Sequence, residues 1–438
     1  MMRLKIRSER GQAAVLLAFA FVALLGFTAL AIDGGMVYAD RRHVQSIADA
    51  ASLAGGAALG QILETEKIFY SNWTCSGDMA DAMIEARVAS IIRAGSNGEI
   101  IDLDASDKHG VDAECSMGPK KYVDIKTWIT RDTRTSFIHF VYQGPVRNTV
   151  ESVTRVYPRM PLGEGYAIVA LNEGACNGGD NGATFVGDST VLIGSGGVFS
   201  NGCLTGEGNS LTVDADSEIS YAGTMDIDHP ELFTPSPSQG SSIAPSEFAV
   251  PAPDCSGNAS YSAFVTNGSQ PLWHIPAGNY PGITVKHETT LEGGGLYCLT
   301  GNFVVEGNGS LEIDTSNGKT GVTIYMISGG FSTAGTNRVN LSAPPETPNP
   351  APALAGILIY LAEGNTSSAV LTGTSDSYYT GVVVAPDGKI SALGTSAGIG
   401  FNTAFIGNNV DVRGTSNMTI DYFANNLYGS PTSLELSK

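Results

Sequence analysis

The residues best suited to chemistry in this 438-residue chain are few and far apart. The densest polar group is Asp226, Asp228, His229 and Glu231, in the stretch TMDIDHPELF. A calcium ion or another hard cation requires several oxygens converging in such a place. An exposed acidic loop around Pro230 accounts for the same residues more simply. The six histidines (His43, His109, His139, His229, His274 and His287) are scattered. His274 and His287 are near enough to meet on adjacent strands, but structural or solvent-facing roles suit all six better. Glycan cleavage needs two carboxyl groups about 5–9 Å apart on one face. Asp102 with Asp104, and Asp214 with Asp216, alternate as solvated charges along strand edges do. NGGDNG at 177–182 is one copy of a glycine-rich calcium-type repeat that works in arrays. There is no His-Glu-x-x-His, and the Asn-Thr-Asp, Asp-Asp and Gly-His-Gly set of galacturonan hydrolases is missing. We therefore expect no catalytic residue, no metal site and no cofactor, and hence no enzyme.

Six cysteines occur without a Cys-x-x-Cys or a Cys/His cluster, so zinc is not suggested. Cys75 and Cys115 flank a helical stretch. Outside a membrane, a disulfide between them closes about 40 residues, worth about 3–4 kcal/mol in the loop-entropy model. Cys176 with Cys203, and Cys255 with Cys298, are the other natural pairs by nearness in sequence. The alternative is free structural thiols.

The elements that would carry these residues follow from charge and periodicity. The chain has 24 basic and 43 acidic side chains, a formal −19, and only 15% of its residues are charged. Binding to nucleic acid is excluded as a design, because phosphate neutralisation needs clustered Lys and Arg. Arg3, Lys5, Arg7 and Arg10 against Glu9 make the first ten residues +3, leaving −22 on the rest. Residues 13–32 then run without a charge. Twenty helical residues span about 30 Å, the thickness of a bilayer core. The basic cluster before the span puts residues 1–12 in the cytoplasm by the positive-inside rule. The bulk is then extracytoplasmic, at the cell surface or in the periplasm, and the partner of the span is membrane lipid. A cleaved signal peptide would have a shorter apolar core, although Ala29-Leu30-Ala31 resembles its small-x-small site. Beyond the span, Val37, Val44, Ile47, Ala51, Ala54 and Ala58 recur at helical spacing and predict a helical stalk over 33–60.

The order of residues here is Arg10-Gly11-Gln12, apolar span, Asp33, Gly34, Tyr38, Arg41, then Gln45, Ala48, Asp49, Ala50, Ala51, Leu53, Ala54 and Gly55. This resembles the N-terminal region of Tad-type (tight-adherence, Flp) pilus-assembly proteins of the TadG-like group. The resemblance covers about the first sixty residues. It implies an envelope protein working beside a Tad secretion system. Pilin-like subunits of that kind carry a Glu five residues after the processed Gly, and here that position is Leu16. The departure favours a non-polymerising anchor over a filament subunit and leaves processing at Gly11 open.

Residues 61–160 read as a small α+β module. A helix is predicted over 78–94, with Asp78 and Asp81 in its first turn, Arg93 in its last and Gly95 as its stop. Strands are predicted over 99–104, 121–129 and 147–157, while 136–142 suits either a helix or a strand. From residue 161 short apolar runs alternate with Gly/Asn/Ser/Thr turns: 184–186, 190–193, 197–200, 210–213 and 218–221. That rhythm suits a parallel β-solenoid in two parts, 161–223 and 272–438. Residues 224–271 between them are Pro/Ser-rich and read as a loop or linker, because proline cannot donate to a ladder. SGGVFSN at 195–201 and YTGVVVAP at 379–386 resemble the right-handed parallel β-helical domains that follow Tad-type N-termini in some bacterial surface proteins.

The expected architecture is thus multi-domain: a transmembrane helix, an α+β module and an all-β C-terminal region. The expected role is a component or accessory of Tad/Flp pilus assembly and surface attachment, with pilus or secretion components or envelope polysaccharide as partners. The alternatives are a surface adhesin or polysaccharide-binding protein using a Tad-type anchor and, third, a polysaccharide lyase or hydrolase.

Overall fold

The computed structural model describes residues 10–70, 72–117, 121–140, 142–176, 181–307, 309–334, 338–345, 352–373, 376–394, 400–414, 416–423 and 427–437. The basic residues of 1–9 and most of the NGGDNG stretch lie outside these. The chain divides into two compact units. The first comprises residues 1–160 with 431–438, and the second residues 161–430.

In the first unit, α1 (Arg10–Thr65) is one unbroken helix. Its apolar stretch is exposed on all sides and is long and apolar enough to cross a membrane. From Val44 onward a single stripe turns inward: Val44, Ile47, Ala48, Ala51, Leu59 and Leu63 are buried. This is the spacing of a helix that buries one face. α2 (Asp78–Ser96) ends where the Asn97 N–H donates to the Ala94 carbonyl and the Gly98 N–H to that of Gly95. Strands β1 (Gly110–Met117), β2 (Lys121–Thr133) and β3 (Val146–Tyr157) form an antiparallel sheet in that order. The C-terminal strand Ser433–Leu436 adds to the far side of β3, with Thr154 opposite Leu436 and Tyr157 opposite Ser433. Val123, Ile125, Ile129, Val150 and Val156 meet the buried stripes of α1 and α2 in one core.

One expectation changes here. Residues 99–104 are not a strand: only Asp102 makes a bridge, to Gly110. Ile101 is buried while Ile100 is exposed, so the alternation is real, but β1 occupies the sheet edge instead. Within 136–142, read as suiting either a helix or a strand, a short 3-10 helix forms at Ile138–Phe140.

The second unit is a large β-rich body of short strands in parallel sheets. One row of pairings runs through Gly295–Leu299, Val322–Met326, Ile357–Leu361 and the first half of Val382–Gly394. A second row runs through Ile283–Val285, Phe303–Val305, Phe331–Thr333, Ser368–Gly373 and the second half of Val382–Gly394. A third includes Tyr378–Thr380, Gly400–Asn402, Met418–Asp421, Thr190–Gly194 and Thr212–Ala215. In the second row Ile283, Phe303, Phe331, Ala369, Ile390, Val410, Ala183 and Leu204 stack in register and are buried. The neighbouring positions Thr284, Val304, Ser332, Val370, Ser391, Asp411, Thr184 and Thr205 form the line on the opposite face, mostly polar, with Ser391, Asp411, Thr184 and Thr205 buried. At one corner Gly414, Gly187 and Gly208 lie against one another. A Cβ at Gly187 would stand 2.1 Å from the Gly414 carbonyl oxygen, and φ is +129° at Gly187 and +143° at Gly208, so glycine is required there.

The rows do not follow chain order. Tyr166–Ala170 pairs with Phe405–Gly414 on one side and Gly197–Ser200 on the other. The chain therefore enters the stack in its middle. It proceeds to Ser238–Gln239, and resumes at Phe264–Val265 at the opposite end. Residues 240–263 make the return journey as a strap. Ile243 exchanges hydrogen bonds with Asn201 at 2.9 and 2.8 Å. Tyr360 Oη donates to the Val250 carbonyl at 3.0 Å. The Tyr261 N–H donates to the Asn279 carbonyl at 2.9 Å. The strap lies over Tyr360, Val384 and Ile406 and buries its own Phe248 and Val250. The covered strands are consequently buried on both faces.

Candidate functional site

The residues that tie α1 to its own unit are the strongest candidates for function, and they begin where the apolar stretch ends. Asp33 is almost fully buried. Its carboxylate accepts the backbone N–H groups of Ser136 (2.7 Å), Phe137 (2.9 Å) and Ile138 (2.5 Å). A buried charge needs such donors, and these are the orphan N–H groups that open the 3-10 turn. Two turns on, Thr133 Oγ1 donates to Asp40 Oδ2 at 2.6 Å, and Arg131 reaches Glu99 at 2.8 Å.

Further along α1, Gln45 Nε2 donates to Asp49 Oδ1 (2.8 Å) and to the Glu151 carbonyl of β3 (3.1 Å). Ser52 is fully buried, its Oγ 2.9 Å from Ser152 Oγ and accepting from Thr154 Oγ1 at 2.9 Å. The paired glycines serve close approach. A Cβ at Gly55 would meet Ser90 Oγ at 2.1 Å and the Ala86 carbonyl at 2.8 Å on α2. A Cβ at Gly56 would meet Thr154 Cγ2 at 2.6 Å on β3. Ala48 and Ala51 are buried, Ala50 and Ala54 half-buried. Tyr38, Arg41 and Leu53 are exposed, with the Arg42 guanidinium 6.0 Å from the Tyr38 ring. At Gly34 a Cβ would meet nothing within 4 Å, so no steric need explains that glycine. The side chains of Arg10 and Gln12 lie outside the described residues, as does any account of Gly11 beyond its place in α1.

Residues 11–58 match the Tad family, "Putative Flp pilus-assembly TadE/G-like". The Tad-like segment thus lies wholly within α1, and covers both the apolar stretch and the contacts to α2 and β3. Comparison with curated proteins and with solved structures gives no match.

The cysteines lie in three disulfides: Cys75–Cys115, Cys176–Cys203 and Cys255–Cys298. The first ties the segment before α2 to β1 within the first unit. The third ties the strap to strand Gly295–Leu299.

The acidic group of 226–231 is spread along strand Thr224–Ile227 and a 3-10 turn at Pro230–Leu232. His229 Nδ1 lies 3.0 Å from Glu231, while Asp226 and Asp228 face solvent. His274 stands opposite Thr290, with Nδ1 3.4 Å from Asp314, and His287 lies beside Gly268, so the structure gives each its own neighbours. Asp104 accepts the Ser106 N–H at 2.9 Å, and Asp216 accepts the Ser195 N–H at 2.7 Å. Among the described residues no three His, Cys, Asp or Glu side chains are grouped to hold a metal ion. A Gly-x-Ser-x-Gly match at 394–398 ends strand Val382–Gly394, and its residues 395–398 lie outside the described ones. The next described element is another strand, Gly400–Asn402, whereas a nucleophile elbow leads from a strand into a helix.

Proposed function

We propose that this chain is a non-enzymatic, membrane-anchored cell-envelope protein of Tad/Flp-type pilus assembly and surface attachment. The observation that carries this reading is the Tad-family match at 11–58, falling on a helix whose apolar stretch is of spanning length. Residues 13–32 lie in the bilayer, residues 1–12 in the cytoplasm and the remainder outside. The parallel rows of 161–430 are the coils of a right-handed parallel β-helix.

Deleting the gene is expected to abolish pili or attachment, with restoration by the full-length protein. Wild-type piliation and attachment in the deletion strain would reject the pilus role. The protein is further expected to stay with membranes through carbonate extraction. A shorter protein released into the medium would reject the anchor. The second reading, a polysaccharide-binding surface protein, draws on the large β-rich body of 161–430, to which the Tad-family match does not extend. It predicts binding to isolated glycans without any pilus component.

A further inference from the structure

The segment that leads from β2 to the 3-10 turn descends α1 toward its apolar stretch. Thr133 bonds to Asp40, Ser136 Oγ lies 3.6 Å from Met36 Sδ, and the N–H groups of 136–138 bond to Asp33. From residue 40 to 33 the helix falls by roughly 10 Å at its standard rise. The tip of the turn therefore stands at the level where the uncharged run begins. There it carries three exposed aromatic side chains: Phe137 is 41%, Phe140 78% and Tyr142 53% accessible. Arg134 on the same segment, with Arg41 and Arg42 on α1, is also exposed. Aromatic rings flanked by cations are what a protein presents at the headgroup boundary of a bilayer, where an apolar body and a polar edge are both satisfied. In water such rings gain nothing by exposure.

We propose that the segment around the Ile138–Phe140 turn is a second membrane contact, with Phe137, Phe140 and Tyr142 entering the headgroup–acyl boundary of the bilayer that holds residues 13–32. This rests on the reading of 13–32 as a span. The turn is continuous with that span through the Asp33 carboxylate, so it enters the same lipid surface. It would fix the rotation of α1 about its axis, which a lone apolar helix cannot do.

The test uses the full-length protein in phosphatidylcholine vesicles whose lipids are brominated either near the glycerol backbone or near the chain ends. Phe140→Trp and, independently, Tyr142→Trp place a reporter on the turn, and Leu25→Trp places one in the span. Emission is compared with that of the parent, which has three tryptophans. The expected result is loss of the turn reporters' emission with shallow bromines, and of the span reporter's with deep ones. Quenching at residue 25 with none at 140 or 142 would overturn the proposal and leave the span standing. Quenching at none of the three would overturn both. A turn reporter shielded from a soluble quencher in native membranes, yet unquenched by brominated lipid, would assign the turn to a protein partner and also overturn it.

Discussion

Gly55 of α1 faces Ser90 of α2 so closely that a Cβ at residue 55 would stand 2.1 Å from the serine Oγ. The serine could rotate away, but the Ala86 carbonyl, 2.8 Å from the same point, is backbone and can yield only if α2 moves. Gly55→Ala is therefore expected to destabilise the first unit by about 1–3 kcal/mol, the usual cost of overpacking. Gly55→Leu should separate the helices. Thermal unfolding of the detergent-solubilised protein measures the first, and accelerated amide exchange along α2 reports the second. A Gly55→Ala protein as stable as the parent would mean that the helices are farther apart than described.

The Asp33 clamp predicts a local effect. Asp33→Ala leaves three backbone N–H groups without their acceptor, at about 1–3 kcal/mol for each donor left buried and unpaired. Hydrogen exchange at Ser136, Phe137 and Ile138 should rise sharply while exchange in the second unit is unchanged. Asp33→Asn keeps one accepting oxygen and should lie between the two. Equal protection in all three proteins would show that the turn holds itself.

For the strap, the relevant bond is Cys255–Cys298, with a sequence separation of 43. Replacing both cysteines by serine is expected to cost roughly 4 kcal/mol in the loop-entropy model. Residues 240–259 should also become sensitive to protease, because the buried Phe248 and Val250 lose their downstream tether. Unchanged resistance to proteolysis would mean that apolar burial alone holds the strap.

Alkaline pH should weaken the second unit through its tyrosines. Burial, aided by the Glu218 hydrogen bond, pushes Tyr166 up to about 12, and burial with the nearby Tyr325 pushes Tyr360 up to about 12. Burial also raises Tyr297 and Tyr379. A raised tyrosine pKa means that the folded state holds a proton that the unfolded state has lost. This stability is whole below the unfolded value near 10 and drains as pH climbs toward 12. In a spectrophotometric titration of the 16 tyrosines, a late group should ionise only together with loss of structure. Ionisation of all tyrosines near pH 10 in a folded protein would contradict this.

The sequence reveals elements better than it reveals pairings. The helix spacing of Val44, Ile47 and Ala51 is legible because one face meets a core and the other meets water. Short strands such as Gly197–Ser200 are legible because glycine and asparagine turns bracket them. That Ile168 lies beside Phe405 is not legible, since parallel partners leave no local trace and each row repeats the same apolar chemistry. β1 is faint in the sequence because the inward half of its alternation, Val111, Ala113 and Cys115, is small, while Asp112 and Glu114 face solvent. Of the candidate site, Asp33 stands out as the first charge after the apolar run. Its partners at 136–138 lie about a hundred positions away and contribute only backbone, which carries no side-chain signature.

The pairing of Ser433–Leu436 with β3 sets a schedule for assembly. The Ser433–Leu436 strand leaves the ribosome only after all of 161–430 has been made, so the sheet that holds α1 stays open along β3 while the second unit is synthesised. Until then β3 presents unpaired backbone groups from Thr154 to Tyr157. A chain stopped anywhere in the second unit can complete that body's early strands but never close this edge.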